Sequence, residues 1–152
     1  MPEVNLSNNS EYEYCWALVD SGAGEDVAKC NGFTESEAVT APPITLSTAN
    51  GELLPHADAR RVTSYTQDGQ KISRTFYEAN VEMPILAVSE LSREGRSGSE
   101  VRLRRRDGYL EDLHTGQRQH IVKRRGMYFM KMYFRKSCTP GIKAGFTRPS
   151  QP

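Results

Sequence analysis

Apolar and polar residues alternate with a period of two along much of the chain, and turn-forming residues interrupt the alternation at short intervals. Residues 12–19, Tyr-Glu-Tyr-Cys-Trp-Ala-Leu-Val, begin by alternating and end continuously apolar. A strand running from an edge into a buried centre has that pattern. It stops at Asp20-Ser21-Gly22-Ala23-Gly24, and the mixed residues 25–43, ending in Pro42-Pro43, read as loop. Ile44-Thr45-Leu46-Ser47 and Glu52-Leu53-Leu54 flank Asn50-Gly51, while residues 61–66 and 71–77 flank Asp68-Gly69. Both read as hairpins on type I′ turns, whose two central residues need φ > 0. After Pro84, the stretch Ile85-Leu86-Ala87-Val88-Ser89-Glu90-Leu91 reads as a strand closing into one or two helical turns before Gly95. Residues 93–99 are small and polar and form the best boundary. Beyond it Val101-Arg102-Leu103-Arg104 alternates up to Asp107-Gly108, His114-Thr115-Gly116 makes a turn, and residues 127–134 form a last strand. Residues 1–11 read as a disordered lead-in and residues 137–152 as a tail. The class is all-β with one short helix.

Composition narrows the setting. The 152 residues suit one domain with some tail, and 37% hydrophobic against 26% charged residues permits a packed core. No run approaches the roughly 18 apolar residues of a membrane span, and the start of the chain has neither a basic nor an apolar leader segment, so a cytoplasmic protein without membrane attachment is expected. Cys15, Cys30 and Cys138 make an odd count without CxxC spacing, and His56, His114 and His120 lack ligand spacing. Neither a disulfide framework, nor a metal, nor a cofactor is expected. Cys15 is read as a small apolar residue, and Trp16, beside Leu18, as core.

Charge is segregated along the chain. Residues 1–99 hold 7 Lys/Arg and 15 Asp/Glu, net −8, whereas residues 100–152 hold 13 and 4, net +9. The halves therefore present surfaces for different partners or attract one another. In the basic half, Arg104-Arg105-Arg106 and Lys123-Arg124-Arg125 lie near turns, interleaved with Tyr109, Tyr128, Phe129, Tyr133 and Phe134. Cations for phosphates and aromatic faces for unpaired bases are what a single-strand nucleic-acid binder uses. The simpler reading has the aromatics fill a small β-core, with the charges solvated or facing the acidic half.

One constellation points to a reaction. An apolar strand delivers Asp20-Ser21-Gly22-Ala23 onto a sharp turn. A carboxylate there is held at the edge of the core. Ser21 can donate a hydrogen bond, Gly22 lets the main chain approach and offer its N–H, and Ala23 is small enough for a second copy of the turn to pack against the first. Two such aspartates side by side share one proton, because like charges at that distance repel. The ionised member then activates water while the protonated one polarises a peptide carbonyl. With one such turn per chain, the pair requires a symmetric homodimer.

Trp16-Ala17-Leu18-Val19-Asp20-Ser21-Gly22-Ala23 resembles the active-site strand and turn of the retropepsins, the aspartic proteases of retroviruses and retrotransposons. Pro84-Ile85-Leu86-Ala87-Val88-Ser89-Glu90-Leu91-Ser92-Arg93-Glu94-Gly95 is similar to their second signature, a strand crossing beneath the catalytic turn followed by a helix. Its wording is particularly like the protease region of copia-type retrotransposon polyproteins. The Thr48-Ala49-Asn50-Gly51 hairpin lies where that family carries its substrate-covering flap. The resemblance covers residues 12–95 and departs at Ala87, where the family usually has Gly, and at Glu25 and Asp26, which add two acids after the turn.

The resemblance implies a retropepsin-like closed β-barrel half over residues 12–97, with a flap hairpin and one short helix, followed by a basic β extension over residues 98–136. It implies an aspartic endopeptidase, active as a homodimer on junctions of a retrotransposon polyprotein. Asp20 would be catalytic, with Ser21, Gly22 and Ala23 supporting the turn, Asn50 and Gly51 at the flap tip, and Ile85, Leu86 and Ala87 in the second signature strand. A second reading keeps the β-fold with a silent Asp turn and binds nucleic acid or protein through the basic C-terminal region, at Arg104, Arg105, Arg106, Lys123, Arg124 and Arg125. In a third, the basic extension begins the next polyprotein region and has no task of its own.

Overall fold

The strand expected at residues 12–19 forms as β1 (Tyr12–Asp20) and lies inside the sheet with a neighbour on each edge. The computed structural model of the chain describes residues 4–42, 44–47, 51, 53–55, 57–93 and 98–136. Within these, β2 (Val27–Ala28), β3 (Ser36–Val39), β6 (Ala59–Tyr65), β7 (Lys71–Glu78), β8 (Ile85–Ala87), β9 (Ser99–Leu103), β10 (Asp107–Asp112), β11 (Arg118–Arg124) and β12 (Met127–Arg135) join β1 in one sheet. Its order is β3-β6-β7-β2-β8-β1-β12-β11-β10-β9, and Tyr65 opposite Tyr133 adds a pairing of β6 with β12. A separate two-stranded sheet holds β4 (Thr45–Ser47) and β5 (Leu53–Pro55), and the helix among the described residues is α1 (Val88–Arg93). The all-β class holds.

Period-two alternation explains how β1 serves the core. Cys15, Ala17 and Val19 point into the main hydrophobic cluster, while Tyr14 and Trp16 take the opposite face. Along its antiparallel edge β1 runs from Tyr12 opposite Arg135 to Val19 opposite Tyr128. Cys15 therefore faces Met132 and Ala17 faces Met130, so β12 extends the same apolar face. Phe76, Leu86, Leu91 and Ile121 in that cluster are fully buried, each contributing about 1.5–3 kcal/mol by leaving water.

The basic extension expected after residue 97 is integral to this core. Strands β9 to β12 form an up-and-down antiparallel meander. Its inner face supplies Leu110, Ile121, Met130, Met132 and Phe134 to the cluster that holds Cys15 and Ala17. The charges ride the outer face and the turns.

Other expectations need correction. The segment assigned to a disordered lead-in contains a 3-10 turn, Leu6–Asn8, capped by the Asn5 side chain. Leu6 is buried with Tyr65 and Tyr133, and its N–H donates to the Gln67 carbonyl at 2.7 Å. Residues 25–43, expected as loop, include β2, a 3-10 turn at Cys30–Gly32 and β3. The Asp68-Gly69 hairpin forms, but only Gly69 has φ > 0, at 89°. Gly69 N–H donates to Thr66 O, and Thr66 N–H to Gln70 O, which makes a three-residue loop with glycine in the left-handed position. In the β4–β5 hairpin Ser47 stands opposite Leu53, and Gly51 has φ 80°; Asn50 lies outside the described residues.

Among the described residues, the hairpin whose two central residues both take positive φ is one the pattern did not announce. Arg125 (φ 54°) and Gly126 (φ 79°) join β11 to β12, with Arg124 opposite Met127. A side chain in this region costs about 1 kcal/mol. Asp107-Gly108, expected as a turn, instead starts β10, and Arg105-Arg106 make the turn, with Arg104 N–H donating to Asp107 O at 2.7 Å.

Two substitutions test this backbone. A Cβ on Gly108 would sit 2.5 Å from the Arg102 carbonyl oxygen, so Gly108→Ala is expected to destabilise the fold by about 1–3 kcal/mol. Arg125→Asn relieves strain and is expected to stabilise it by about 0.5 kcal/mol. Urea midpoints at constant m-value measure both.

Candidate active site

Asp20 is the last residue of β1, and its position is set by β8. The two strands run parallel, with Leu18 opposite Ile85, Val19 opposite Leu86 and Asp20 opposite Ala87. On its other edge β8 pairs antiparallel with β2, Val27 opposite Ile85. The chain thus leaves β1, turns through residues 21–26, and returns as β2 with a gap between the two strands that β8 fills. Leu86 and Ala87 are fully buried, so the methyl group of Ala87 is accommodated where the resembling proteases usually carry glycine.

At the turn, Gly22 N–H donates to Asp20 Oδ1 at 2.8 Å. This local ring fixes one oxygen of the carboxylate and leaves the other without a backbone donor. Gly22 has no positive φ, and a Cβ there would lie 3.4 Å from Asp20 Oδ1, so the single chain does not demand glycine. Ser21 is exposed, and among the described residues its hydroxyl makes no hydrogen bond. Ala23 is half-buried. Asp20 itself is half-buried at the C-terminal end of β1.

The residue that sequence reasoning passed over is Asp26. Read from the sequence as one more acid beside the turn, it is 4% exposed and does not face solvent there. Its Oδ1 accepts the Ala87 N–H at 2.9 Å, and its Oδ2 lies 3.6 Å from Nη1 of Arg74, a guanidinium almost as deeply buried. Its backbone carbonyl accepts Tyr77 N–H at 2.9 Å. One residue therefore ties the turn to β8 through its side chain and to β7 through both charge and backbone. The signal available was thin: an acid directly before an apolar pair, and a lone arginine in an otherwise apolar-alternating strand.

The hairpin expected as a flap stands apart from the large sheet. Tyr77 Oη donates to the Pro42 carbonyl at 3.1 Å, which holds the approach to β4 against β7. Leu53 on β5 is 63% exposed, an apolar side chain offered to solvent on that hairpin.

The six basic candidates come together. In a meander every second turn falls at the same end, so the β9–β10 turn carrying Arg104, Arg105 and Arg106 lies beside the β11–β12 turn carrying Lys123, Arg124 and Arg125. Lys123 Nζ donates to Arg105 O at 3.1 Å, and Tyr128 Oη to Arg104 O at 2.6 Å. Because Val19 stands opposite Tyr128, this basic end and the Asp20 turn lie at the same end of the sheet.

Cys15 and Cys30 are buried, and neither is in a disulfide. Burial first, then the Glu78 carboxylate, pushes Cys30 up to about 12, so it stays protonated and unreactive near neutrality. Trp16 is buried, as expected for core, on the face opposite the main cluster with Lys131 over its ring. His114 and His120 are exposed, and His56 and Cys138 lie outside the described residues. Among the described residues no group of His, Cys, Asp and Glu is arranged to hold a metal ion, and no helix is long and apolar enough to cross a membrane.

Removing the Asp26 carboxylate leaves the Arg74 guanidinium buried without a counter-charge. Asp26→Ala is expected to cost about 3–5 kcal/mol. Asp26→Asn should cost less, because its side-chain oxygen still accepts from Ala87 N–H. Equal losses for the two variants in urea unfolding would contradict the assigned geometry.

Comparison of the chain with protein-family models, with curated proteins and with solved structures finds no match.

Proposed function

We propose that the chain is an aspartic endopeptidase, active as a homodimer, that processes a retrotransposon polyprotein. One observation carries the reading: β8 fills the gap between the two strands joined by the Asp20 turn, with Ala87 opposite Asp20. The resemblance of residues 12–95 to the retropepsins implies that relation between their two signatures, and the residues involved are far apart in the chain. The β6–β12 pairing, which joins the sheet's two wings, agrees with the closed β-barrel half that the same resemblance implies.

The turn's chemistry supports the reading as well. Gly22 N–H holds one oxygen of Asp20, which leaves the other for a second carboxylate. Paired across a two-fold axis, two such carboxylates hold one proton between them. The ionised one takes a proton from water as the oxygen attacks the peptide carbonyl carbon. The protonated one gives its proton to the carbonyl oxygen, and a tetrahedral diol forms. Transfer of a proton to the amide nitrogen then releases the amine as the C–N bond breaks, and a carboxylic acid remains. Gly22 and Ser21, which the single chain leaves without a steric or bonding demand, fit positions kept clear for a second turn and a substrate. The peptide would lie extended under the β4–β5 hairpin, where the exposed Leu53 offers an apolar contact.

The test is cleavage of a mixed peptide library by the full chain between about pH 4 and pH 7, with sedimentation to establish the dimer. Cleavage favoured by acid, falling on dilution and lost in Asp20→Asn is expected. Undiminished cleavage by Asp20→Asn, or none from a folded dimer, would overturn the reading.

A further inference from the structure

Apart from Lys131 and Arg135 at the middle and far end of β12, the cations of β9 to β12 fall into two groups. Arg102, Arg104 and Arg118 gather around the Tyr109 ring, and each is held by an acid: Glu100 at 3.2 Å, Asp107 at 2.9 Å and Glu111 at 2.7 Å. Arg105, Arg106, Lys123, Arg124 and Arg125 have no carboxylate within ion-pair distance among the described residues. All five sit on the two neighbouring turns, and the four arginines are exposed. They are held close by main-chain carbonyls, Lys123 Nζ on Arg105 O and Arg124 Nη1 on Lys123 O, which supply no counter-charge.

Two further features bear on what such an end meets. Arg125 occupies a left-handed position (φ 54°) where Asn or Gly would be unstrained, so a cation stands there against the backbone preference. The aromatic rings nearby are already covered: Arg118 lies 4.0 Å from the Tyr109 ring centre, and Lys123 5.3 Å from that of Tyr128. The ring faces on which unpaired bases would stack are therefore engaged by cations. Among the described residues of the two turns and their flanks, Met127 is the one large apolar side chain that is exposed, so the surface lacks the apolar centre of a protein interface.

We propose that the paired β9–β10 and β11–β12 turns form a binding surface for the phosphate backbone of nucleic acid, read by charge and not by base. The two turns are two strand spacings apart, about 10 Å, and present guanidinium forks to successive phosphates. Binding is then indifferent to sequence and weakens steeply with salt as counterions return. The surface does not depend on the chemistry of Asp20.

Fluorescence anisotropy of a labelled oligo(dT) of about 30 nucleotides, titrated with the full chain at about 50 and 200 mM salt, tests this. Five engaged phosphates give a log–log salt slope of about −3.5. The variant Arg105→Ser, Arg106→Ser, Arg124→Ser, Arg125→Asn should bind at least about 20-fold more weakly at the lower salt, with a slope near −1. Arg61→Gln with Lys71→Gln, which removes two charges elsewhere, should stay within about twofold of the parent. Arg125→Asn alone should weaken binding while raising the urea midpoint, a combination that damage to the fold cannot produce. Oligo(dA) should bind within about threefold of oligo(dT). The proposal is overturned if the fourfold variant binds like the parent, or if the parent does not bind at the lower salt. It is equally overturned if one base is strongly preferred, or if polyglutamate or anionic vesicles displace the oligonucleotide at equal charge.

Discussion

Burying the carboxylate of Asp26 carries a desolvation cost of several kcal/mol, and the chain meets that cost with an N–H and a cation drawn from distant segments. The N–H belongs to Ala87 on β8, the cation to Arg74 on β7, and both are themselves buried. A carboxylate can be held this way only if β7 and β8 are already in place around it. Asp26 therefore depends on both strands, and it decides where the turn ends. With Asp26 fixed, the chain between Asp20 and Val27 has little freedom, and the Asp20 carboxylate is presented beside Ala87. A buried pair of this kind adds little net stability over apolar residues of the same size. What it adds is a single permitted arrangement of the turn.

The second constraint is that β1 is paired on both edges where it approaches Asp20. β8 occupies one side near Asp20 and β12 occupies the other along nearly the whole strand. A second copy that brings its own Asp20 turn to this one meets it beside a stretch of β1, Leu18 to Asp20, whose β8 edge is already paired. The outer edges of the sheet, at β3 and β9, lie away from the turn in strand order. The extension beyond residue 97 is thus part of what defines the site's surroundings, even though its charge differs so sharply from the rest.

How much of this was legible follows from which physical signals stay local. β1, the Asp68-Gly69 hairpin, and the β8–α1 unit were readable because apolar alternation and turn residues coincide there. β3 and β11 escaped: β3 buries no residue fully and β11 buries only Ile121, so neither alternates strongly enough to announce a strand. The Arg125-Gly126 turn escaped because arginine is not a residue that prefers positive φ. Asp20 could be read from its own neighbours, since its hydrogen bond is to Gly22 two residues on. Asp26 could not, since its partners at Arg74 and Ala87 are long-range and no pattern in one segment encodes them.

Charge segregation along the chain left two outcomes open, halves that neutralise each other or halves that face different partners. The geometry favours the second. The ion pairs of Arg74, Arg102, Arg104 and Arg118 each stay within one half, and Arg135 with Glu35, at 3.5 Å, crosses between them. The crossing pair stands where the chain also pairs Tyr65 with Tyr133 and where Tyr65 Oη links Glu35 to Arg135. The halves are joined also by the β1–β12 backbone ladder and by apolar side chains, both indifferent to the sign of surface charge. A sheet welded by its core keeps its surface charges unspent, and screening over about 8–10 Å isolates exposed groups of opposite sign on different wings. The Asp20 turn and the β11–β12 turn, by contrast, adjoin across β1 and β12 at one end of the sheet, so the field that a partner meets there is set by both.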